Sequence, residues 1–193
     1  MYQPHPTSQS RLNRELLWTP HRWPGAEHLS VHSDGHTITA DGVIIAAEAR
    51  PTRIAYEINC DTAWRTWRLT VQAAGEPPLA LLRDDTDGWK HPDGTPRPDL
   101  AGCVDVDIAL TPFTNTLPIR RLGLDPGQSV DIRAVYVQFY PHLSVTTSNQ
   151  RYTRLDHGAG YRYESGDFRA DLQVDSDGVV TEYPGLWTLS TTT

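Results

Sequence analysis

The amino-acid sequence predicts an all-β protein, predominantly antiparallel, with ten or more short strands and at most one or two short helices. Apolar and polar residues alternate with period two along most of the chain, as they do when successive side chains of a strand point to opposite faces. Turn-forming residues separate these segments at intervals of about 8–12 residues, which is typical of sandwiches and barrels. No segment after residue 18 has a helical hydrophobic period.

Length, composition and charge indicate one globular domain. The chain has 193 residues, of which 38% are hydrophobic and 21% charged, so a core can form without disulfides. We expect a single domain over residues 1–193, with a loose tail at 1–10. The net charge of −7 argues against a nucleic-acid partner, because phosphates would be repelled. Cys60 and Cys103 lack metal-ligand spacing, and we expect two buried thiols.

The N-terminal region and the apolar runs predict the cellular location. The first 25 residues are polar and rich in Pro, His and Arg, which is unlike a signal peptide. The longest apolar run, residues 43–47, is too short to cross a bilayer. We therefore expect a cytoplasmic protein that is not an integral membrane protein.

The elements of the first half follow from its alternation and its turns. Apolar side chains at positions 12, 16 and 17 predict a short helical turn within residues 11–18, which Pro20 stops. The Ala-Asp-Gly turn at 40–42 predicts a hairpin over residues 36–47. Further strands are predicted at residues 54–58, 64–72 and 79–82.

The second half begins with a loop and then returns to alternation. Three prolines between residues 90 and 98 predict that loop, and residues 103–110 alternate strictly, as in a strand. Two prolines predict a stiff loop at 111–122. The remaining predicted strands lie at residues 130–140, 150–155, 160–164, 168–174 and 179–183.

Sequence motifs with a strong mechanistic meaning are not found in the chain. It has no Gly-x-Gly-x-x-Gly, Walker A, His-Glu-x-x-His or Gly-x-Ser-x-Gly motif, which argues against dinucleotide binding, phosphate transfer, zincin and α/β-hydrolase chemistry. His28, His32 and His36 would align on a helix as metal ligands, but an intervening Ser-Asp-Gly favours a turn. We expect surface histidines, no metal site and no cofactor.

Asp105 and Asp107 share one face of the predicted strand 103–110. Their Cα atoms are expected about 6.6–6.8 Å apart, and an inverting glycosidase needs about 6.5–9.5 Å between its carboxylates. The pair could equally bind sugar hydroxyls or a hydrated cation. The more common arrangement packs the apolar residues inward and leaves both aspartates facing water. We expect that arrangement, and catalysis and polar-ligand binding stay open as alternatives.

A second group of candidate residues combines aromatic, amide and guanidinium side chains. Trp64 beside Arg65 offers a stacking surface and bidentate donors, which suit a sugar ring or a phosphate, although the same pair can also cover a core rim. The stiff loop could bind a polar head group or pin a β-crossover. Its candidate side chains are Asn115, Arg120 and Arg121.

The central run at 102–122, GCVDVDIALTPFTNTLPIRRL, is similar to the signature of a glycolipid-binding family of bacterial proteins. Further matching elements are Tyr56, CDTAWR at 60–65, YESGDFRADLQVD at 163–175, Tyr183 and Trp187. The resemblance covers about residues 15–188. It implies a fold similar to the periplasmic lipoprotein carriers, namely a single open or incomplete β-barrel or strongly curved sheet with an apolar concavity. It implies no catalytic residues.

These observations favour a non-enzymatic carrier or sensor that binds a glycolipid or another amphipathic or apolar ligand in a β-barrel cavity. The candidate wall residues are Ile54, Tyr56, Val106, Ile108, Val135 and Val137. The candidate head-group residues are Trp64, Arg65, Asp105, Asp107, Asn115, Arg120 and Arg121. Two alternatives stay open, a hydrolase that acts on a sugar or ester through Asp105 and Asp107, and a protein-interaction module without a small ligand.

Overall fold

The computed structural model describes residues 12–86, 88–156 and 158–190. All of its strands belong to one sheet, which confirms the predicted all-β fold, while the expected tail at 1–10 lies outside the described residues. The first part of the sheet is an antiparallel meander. Its strands are β1 (Arg14–Pro20), β2 (Gly25–Ser33), β3 (Thr37–Ala46), β4 (Thr52–Asp61), β5 (Thr66–Ala73), β6 (Leu79–Asp84) and β7 (Gly88–Lys90).

The second part begins with β8 (Asp105–Ile108), which follows a 3-10 helix at Pro98–Leu100. A second 3-10 helix, Phe113–Asn115, continues directly into the helix α1 (Thr116–Leu122). A second antiparallel meander follows. Its strands are β9 (Ser129–Gln138), β10 (Ser144–Arg154), β11 (Gly160–Ser165), β12 (Phe168–Val174), β13 (Val180–Tyr183) and β14 (Trp187–Leu189).

Two pairings join these parts into a curved sheet that does not close. β14 pairs antiparallel with β1, and β8 pairs parallel with β9, so that β7 and β8 are the two edges. The curvature brings these edges near each other. A hydrogen bond shows this, since Nε1 of Trp89 in β7 donates to the carbonyl of Cys103, 2.9 Å away and just before β8. The open, strongly curved sheet expected from the sequence is therefore confirmed.

The inner face of the sheet differs between its two meanders. In the first it is aliphatic, and these side chains are fully buried: Leu29, Ile44, Ile54, Ile58 and Leu69. In the second, the cross-strand register places hydroxyl, amide and aromatic groups on that face: Tyr136, Ser148, Gln150, Tyr152, Tyr161, Tyr163 and Phe168. The two halves therefore offer chemically different surfaces.

The segment from β8 to α1 packs against the aliphatic half. The ring of Phe113 lies 6.5 Å from that of Trp18, centroid to centroid, and Leu117 and Ile119 of α1 are buried in the same core. Burial of such side chains is the main stabilising contribution to folding. Because the segment fills the aliphatic half, open space remains in front of the tyrosine-rich half.

The N-terminal segment corrects one expectation, since residues from Arg14 onward form a strand and not a helical turn. Leu16 and Trp18 are buried at alternate positions, whereas Leu17 is 43% exposed. A pair of adjacent apolar residues fits both periods over so short a window. Pairing with β2 and β14 selects the strand.

The segment 111–122 corrects a second expectation, because it contains α1 and not only a stiff loop. Pro118 lies in the first turn of this helix, where a backbone N–H has no intrahelical partner and proline is tolerated. Gly123 ends the helix with a left-handed φ of 54°. The helix has 7 residues, too few for a hydrophobic period to show in the sequence.

Candidate functional site

The space in front of the tyrosine-rich half is a cavity of about 850 Å³. Its walls contain many of the aromatic residues of the chain: Trp23, Tyr136, Phe139, Tyr140, Tyr163, Phe168, Tyr183 and Trp187. Its polar and charged lining residues are Arg22, Glu48, Asp107, Thr111, Asn115, Gln138, Ser148 and Ser165. An aromatic cavity of this size with a few convergent polar groups is typical of a small-molecule site.

Contacts between rings hold the aromatic wall in place. The rings of Tyr163, Phe168 and Tyr183 lie 6.1 to 6.5 Å from one another, centroid to centroid. Trp23 and Trp187 meet edge to face at 5.5 Å. Such pairs are worth about 0.5–1.5 kcal/mol each beyond the area they bury. The wall is therefore built before any ligand arrives.

Asp107 is the carboxylate of the cavity, and neutral groups surround it. Gln150 donates its amide to Oδ2 at 2.6 Å, the Thr114 hydroxyl lies 3.3 Å from Oδ1, and the Tyr163 hydroxyl lies 3.4 Å from Oδ2. Burial raises the pKa of Asp107, and these hydrogen bonds oppose the rise only in part. The group can accept hydrogen bonds when ionised and donate one when protonated.

The carboxylate of Asp107 affects the pKa values of the cavity tyrosines. Burial first, and then the charge of Asp107, raises the pKa of Tyr136, Tyr163 and Tyr183. All three phenols are therefore neutral hydrogen-bonding groups at physiological pH. The Tyr163 hydroxyl lies 3.4 Å from Oδ2 of Asp107, so this carboxylate is part of the aromatic wall.

The loop after β8 brings Asn115 to the cavity wall. The Tyr152 hydroxyl donates to Oδ1 of Asn115 at 2.9 Å, and Nδ2 of Asn115 donates to the Pro112 carbonyl at 3.3 Å. Leu110, which also lines the cavity, has a φ of 72°, a conformation that costs a non-glycine residue about 1–3 kcal/mol. The surrounding packing therefore imposes the path of this loop.

Trp23, in the cavity wall, has an unused hydrogen-bond donor. Its Nε1 is buried and has no hydrogen-bond partner within the described residues. Buried polar groups are usually paired with protein or water. Protein atoms enclose this donor, so it is not open to the cavity in the structure.

Asp105 is also buried, which corrects the expectation that both aspartates face water. Its carboxylate forms a two-point ion pair with Arg121 of α1, with Nε 2.9 Å from Oδ1, and it is 1% exposed on its side chain. Burial raises the pKa of Asp105, although the guanidinium opposes this. The alternation rule failed because α1 covers the face of β8 that would otherwise meet solvent. Asp105 does not line the cavity.

The predicted wall residues lie mostly in the packed core. Ile54, Tyr56, Val106, Val135 and Val137 are at most 3% exposed and do not line the cavity, whereas Ile108 does. Val106, Val135 and Val137 share one face of β8 and β9 and pack into the core. Asp107 and Tyr136 lie on the other face and reach the cavity, and Ile108 reaches it from the end of the first face. A sequence cannot assign the two faces when both are covered.

Tyr56 belongs to a buried polar group beside the cavity. Its hydroxyl donates to Oε1 of Glu27, and the hydroxyl of Thr111, a cavity residue, donates to the same oxygen at 2.6 Å. Burial raises the pKa of Glu27 to about 8. The other oxygen of Glu27 has no hydrogen-bond partner within the described chain. Tyr56 thus supports the cavity loop and does not line the cavity.

Trp64, Arg65 and Arg120 lie outside the cavity and already have partners. Trp64 occupies the turn after β4, not the predicted strand, with a φ of 63°. The Arg120 guanidinium covers its ring, 4.7 Å from the centroid. Arg65 donates through Nε to Oδ2 of Asp61 at 2.7 Å. Of the head-group candidates, the structure brings Asp107 and Asn115 together in the cavity.

The remaining candidates behave as side chains of the surface or the core. His28, His32 and His36 are exposed on β2 and in the turn after it, and the described residues contain no group of three or more metal-ligating side chains. Cys60 and Cys103 are buried and free. Among the residues that the structure describes, no helix is long and apolar enough to cross a membrane.

Sequence reasoning missed most of the cavity. Trp23, Tyr136 and Gln150 carried no signal beyond residue type. Tyr163 and Phe168 stand in the run quoted for the family resemblance, and Tyr161 and Tyr163 alternate along β11 with charged residues. An alternation of aromatic and charged residues, in place of aliphatic and polar ones, was the available indication of an aromatic inner face.

These features define a class of protein with one open, curved β-sheet around an aromatic cavity. The chain belongs to the family described as "Putative glycolipid-binding", whose model matches residues 15–188, and the resemblance seen in the sequence is confirmed. It is similar to a crystal structure of a DUF1089 family protein from Pseudomonas aeruginosa. That similarity has a TM-score of 0.71 and 30% sequence identity, over 97% of this chain and 98% of the other. No curated protein matches the chain.

Proposed function

We propose that the protein binds the sugar end of an amphipathic, glycolipid-type ligand in the aromatic cavity, without chemical conversion. The observation that carries this proposal is the combination of an aromatic wall with one half-buried carboxyl group, that of Asp107, in a space of about 850 Å³. Small-molecule sites commonly have volumes of about 300–1,000 Å³. The membership of the family supports the same ligand class.

The chemistry of the wall suits a sugar ring better than an acyl chain alone. The ring faces of a sugar present C–H groups, which pack on aromatic rings such as Tyr163 and Phe168. Its hydroxyls donate to Asp107 and accept from lining groups such as the Ser148 and Ser165 hydroxyls. Most of the aliphatic side chains that would suit an acyl chain are packed in the core, and the large ones that line the cavity are Ile108, Leu110 and Leu186. The alkyl part of the ligand therefore lies toward the mouth of the cavity.

Two observations favour this proposal over the alternatives. An interaction module needs no cavity, whereas this chain holds one beside a preformed aromatic wall. A two-carboxylate hydrolase needs both acids at the substrate, but Asp105 is engaged by Arg121 and only Asp107 of that pair lines the cavity. Binding without conversion requires neither a second acid nor a nucleophile.

Binding of octyl β-glucoside below its micellar concentration tests this proposal, with isothermal titration calorimetry as the measurement. Phe168 lines the cavity and is 42% exposed, so Phe168→Ala removes a stacking surface at little cost to folding. We expect the dissociation constant to rise about tenfold, which corresponds to about 1.4 kcal/mol. Trp67→Ala is the matched control, because Trp67 is an aromatic residue 38% exposed on β5 that does not line the cavity.

The control variant is expected to bind like the unmodified protein. Equal weakening in both variants, or no binding of the glucoside at all, would contradict the proposal. Native mass spectrometry of protein purified from its own host adds an independent readout. A co-purified glycolipid at one per chain supports the proposal, and its extraction identifies the natural ligand.

A further inference from the structure

The cavity wall contains a carboxyl group that has no cationic partner among the described residues. The charged side chains that line it are Arg22, Glu48 and Asp107. Arg22 and Glu48 are exposed at the mouth, and Nε of Arg22 donates to the Gly185 carbonyl at 3.1 Å. Asp107 lies in the wall, where its hydrogen-bond partners are an amide and two hydroxyls. No cation of the described chain makes contact with it.

Arg120 and Arg121, the candidates for binding an anionic head group, already have other partners. Arg121 is held by Asp105 in a two-point ion pair. Arg120 covers Trp64 and donates to the backbone carbonyl of Asp177. Neither lines the cavity. A negatively charged ligand group in contact with Asp107 would therefore have no guanidinium from α1 to offset the repulsion, and the arginine that does line the cavity, Arg22, is exposed at its mouth.

From this distribution of charge we infer that the cavity selects ligands whose polar end is uncharged or cationic, such as a neutral or an amino sugar, and rejects acidic ones. Asp107 is the residue that determines this specificity. The inference rests on the proposed function, because it assigns the chemistry of the head group bound in the same cavity. Hydroxyl and ammonium groups donate hydrogen bonds to the carboxylate, whereas a second carboxylate at contact distance is repelled in a poorly solvated site.

Three ligands of equal chain length test the inference, namely octyl β-glucoside, octyl β-glucosaminide and octyl β-glucuronide. They differ in the charge of the sugar and share the alkyl chain. Calorimetric dissociation constants are measured for each at pH 7 and below the micellar concentration. For the unmodified protein we expect the glucosaminide to bind at least as tightly as the glucoside, and the glucuronide to bind at least about tenfold more weakly.

Asp107→Asn removes the charge and keeps the shape of the side chain. We expect the ratio of the glucuronide to the glucoside dissociation constant to fall to within about threefold of unity in this variant. Glu57→Gln is the matched control, because it removes a partly exposed carboxylate of β4 that pairs with Arg68 and does not line the cavity. Solvent and salt screen the charge of this carboxylate. The control is expected to change the ratio by less than about twofold.

The outcomes separate the inference from the proposal beneath it. Glucuronide binding as tight as glucoside binding, in the unmodified protein, would overturn the inference and leave the proposed function standing. So would an unchanged ratio in a folded Asp107→Asn variant. The comparison in the unmodified protein does not depend on the folding of any variant. If none of the three glycosides binds, both the proposed function and the inference are wrong.

Discussion

At the scale of single residues, Glu27 is unusual because its carboxyl group is buried in the core. Its side chain is fully buried within the first meander, and one carboxyl oxygen accepts hydrogen bonds from both Tyr56 and Thr111. Burial raises its pKa from 4.5 to about 8. The group is therefore neutral in the folded protein at pH 7 and ionised in the unfolded chain.

This shift makes stability depend on pH in a definite direction. Between pH 4.5 and 8 the folded protein binds a proton that the unfolded chain has lost, so the free energy of unfolding falls as pH rises, by about 1.4 kcal/mol per pH unit for this group. We expect urea unfolding to show higher stability at pH 5 than at pH 8. Glu27→Gln keeps an acceptor for Tyr56 and Thr111 and cannot ionise, so its stability should decline much less over that range.

The surface residue Glu57 provides the control for that experiment. It is ion-paired with Arg68 at 3.2 Å near solvent, and Glu57→Gln should retain the pH dependence of the unmodified protein. Asp105 and Asp107, whose pKa values burial also raises, leave a residual slope of the same sign in Glu27→Gln. An unchanged slope in that variant would show that Glu27 is not the dominant group.

At the scale of elements, the middle of β3 is shaped by a ring from the neighbouring strand. Gly42 pairs with Tyr56 across β3 and β4, and a Cβ at position 42 would lie 2.2 Å from Cζ of that ring. The ring therefore crosses the strand directly over the glycine and carries its hydroxyl to Glu27. A methyl group at position 42 would clash with the ring in its observed position.

Gly42→Ala should thus displace the ring and break its hydrogen bond to Glu27. We expect a loss of about 2–3 kcal/mol in the free energy of unfolding, from overpacking together with a lost buried hydrogen bond. A double-mutant cycle with Tyr56→Ala checks the cause. In that background Gly42→Ala should be nearly neutral, and additive effects would mean that the ring is not the obstacle.

The strands were predictable from the sequence wherever one face is polar. Alternation located β4, β5, β6, β8 and most of the C-terminal meander. The predicted hairpin over residues 36–47 was wrong, because Thr37–Ala46 is the single strand β3 and the glycine of the Ala-Asp-Gly segment makes room for the Tyr56 ring instead of forming a turn. Alternation failed at Leu16 and Leu17, where adjacent apolar residues fit two periods, and at α1, where Pro118 resembled a loop signal. It also could not assign Asp105, because α1 covers the solvent side of β8 through a tertiary contact that local pattern does not encode.

The cavity was less predictable than the strands for a related reason. Asp107 was singled out because it shares a strand face with Asp105, and Asn115 because it lies in a segment that two prolines stiffen. Trp23, Tyr136 and Tyr183 stand on distant elements that meet only when β14 joins β1 and the sheet curves. Residue type and spacing do not determine that closure, so the aromatic wall emerges only from the three-dimensional structure.

At the scale of the whole molecule, the stability of the open sheet depends on the contacts that join its two unpaired edges. β7 and β8 do not pair, and an unpaired edge is easily opened or extended. The Trp89 indole N–H bridges the gap to the Cys103 carbonyl at 2.9 Å, and Trp89 is 2% exposed. The backbone N–H of Arg97 also donates to the Trp89 carbonyl at 2.8 Å. Trp89 thus ties the connecting segment to both edges.

Trp89→Phe should weaken this closure while preserving most of the apolar contact. We expect a loss of about 1–3 kcal/mol in the free energy of unfolding, because the Cys103 carbonyl is left buried without its donor. Hydrogen exchange should accelerate most for peptides over residues 103–110, since β8 would open locally before the rest of the sheet.

Trp67→Phe, at an exposed tryptophan of β5, should stay within about 0.5 kcal/mol of the unmodified protein. Uniform acceleration across all peptides in Trp89→Phe would mean that the edges open only with global unfolding. Acceleration confined to β8, which carries Asp107, would instead mean that this edge is the part of the cavity wall that opens at the lowest cost in free energy.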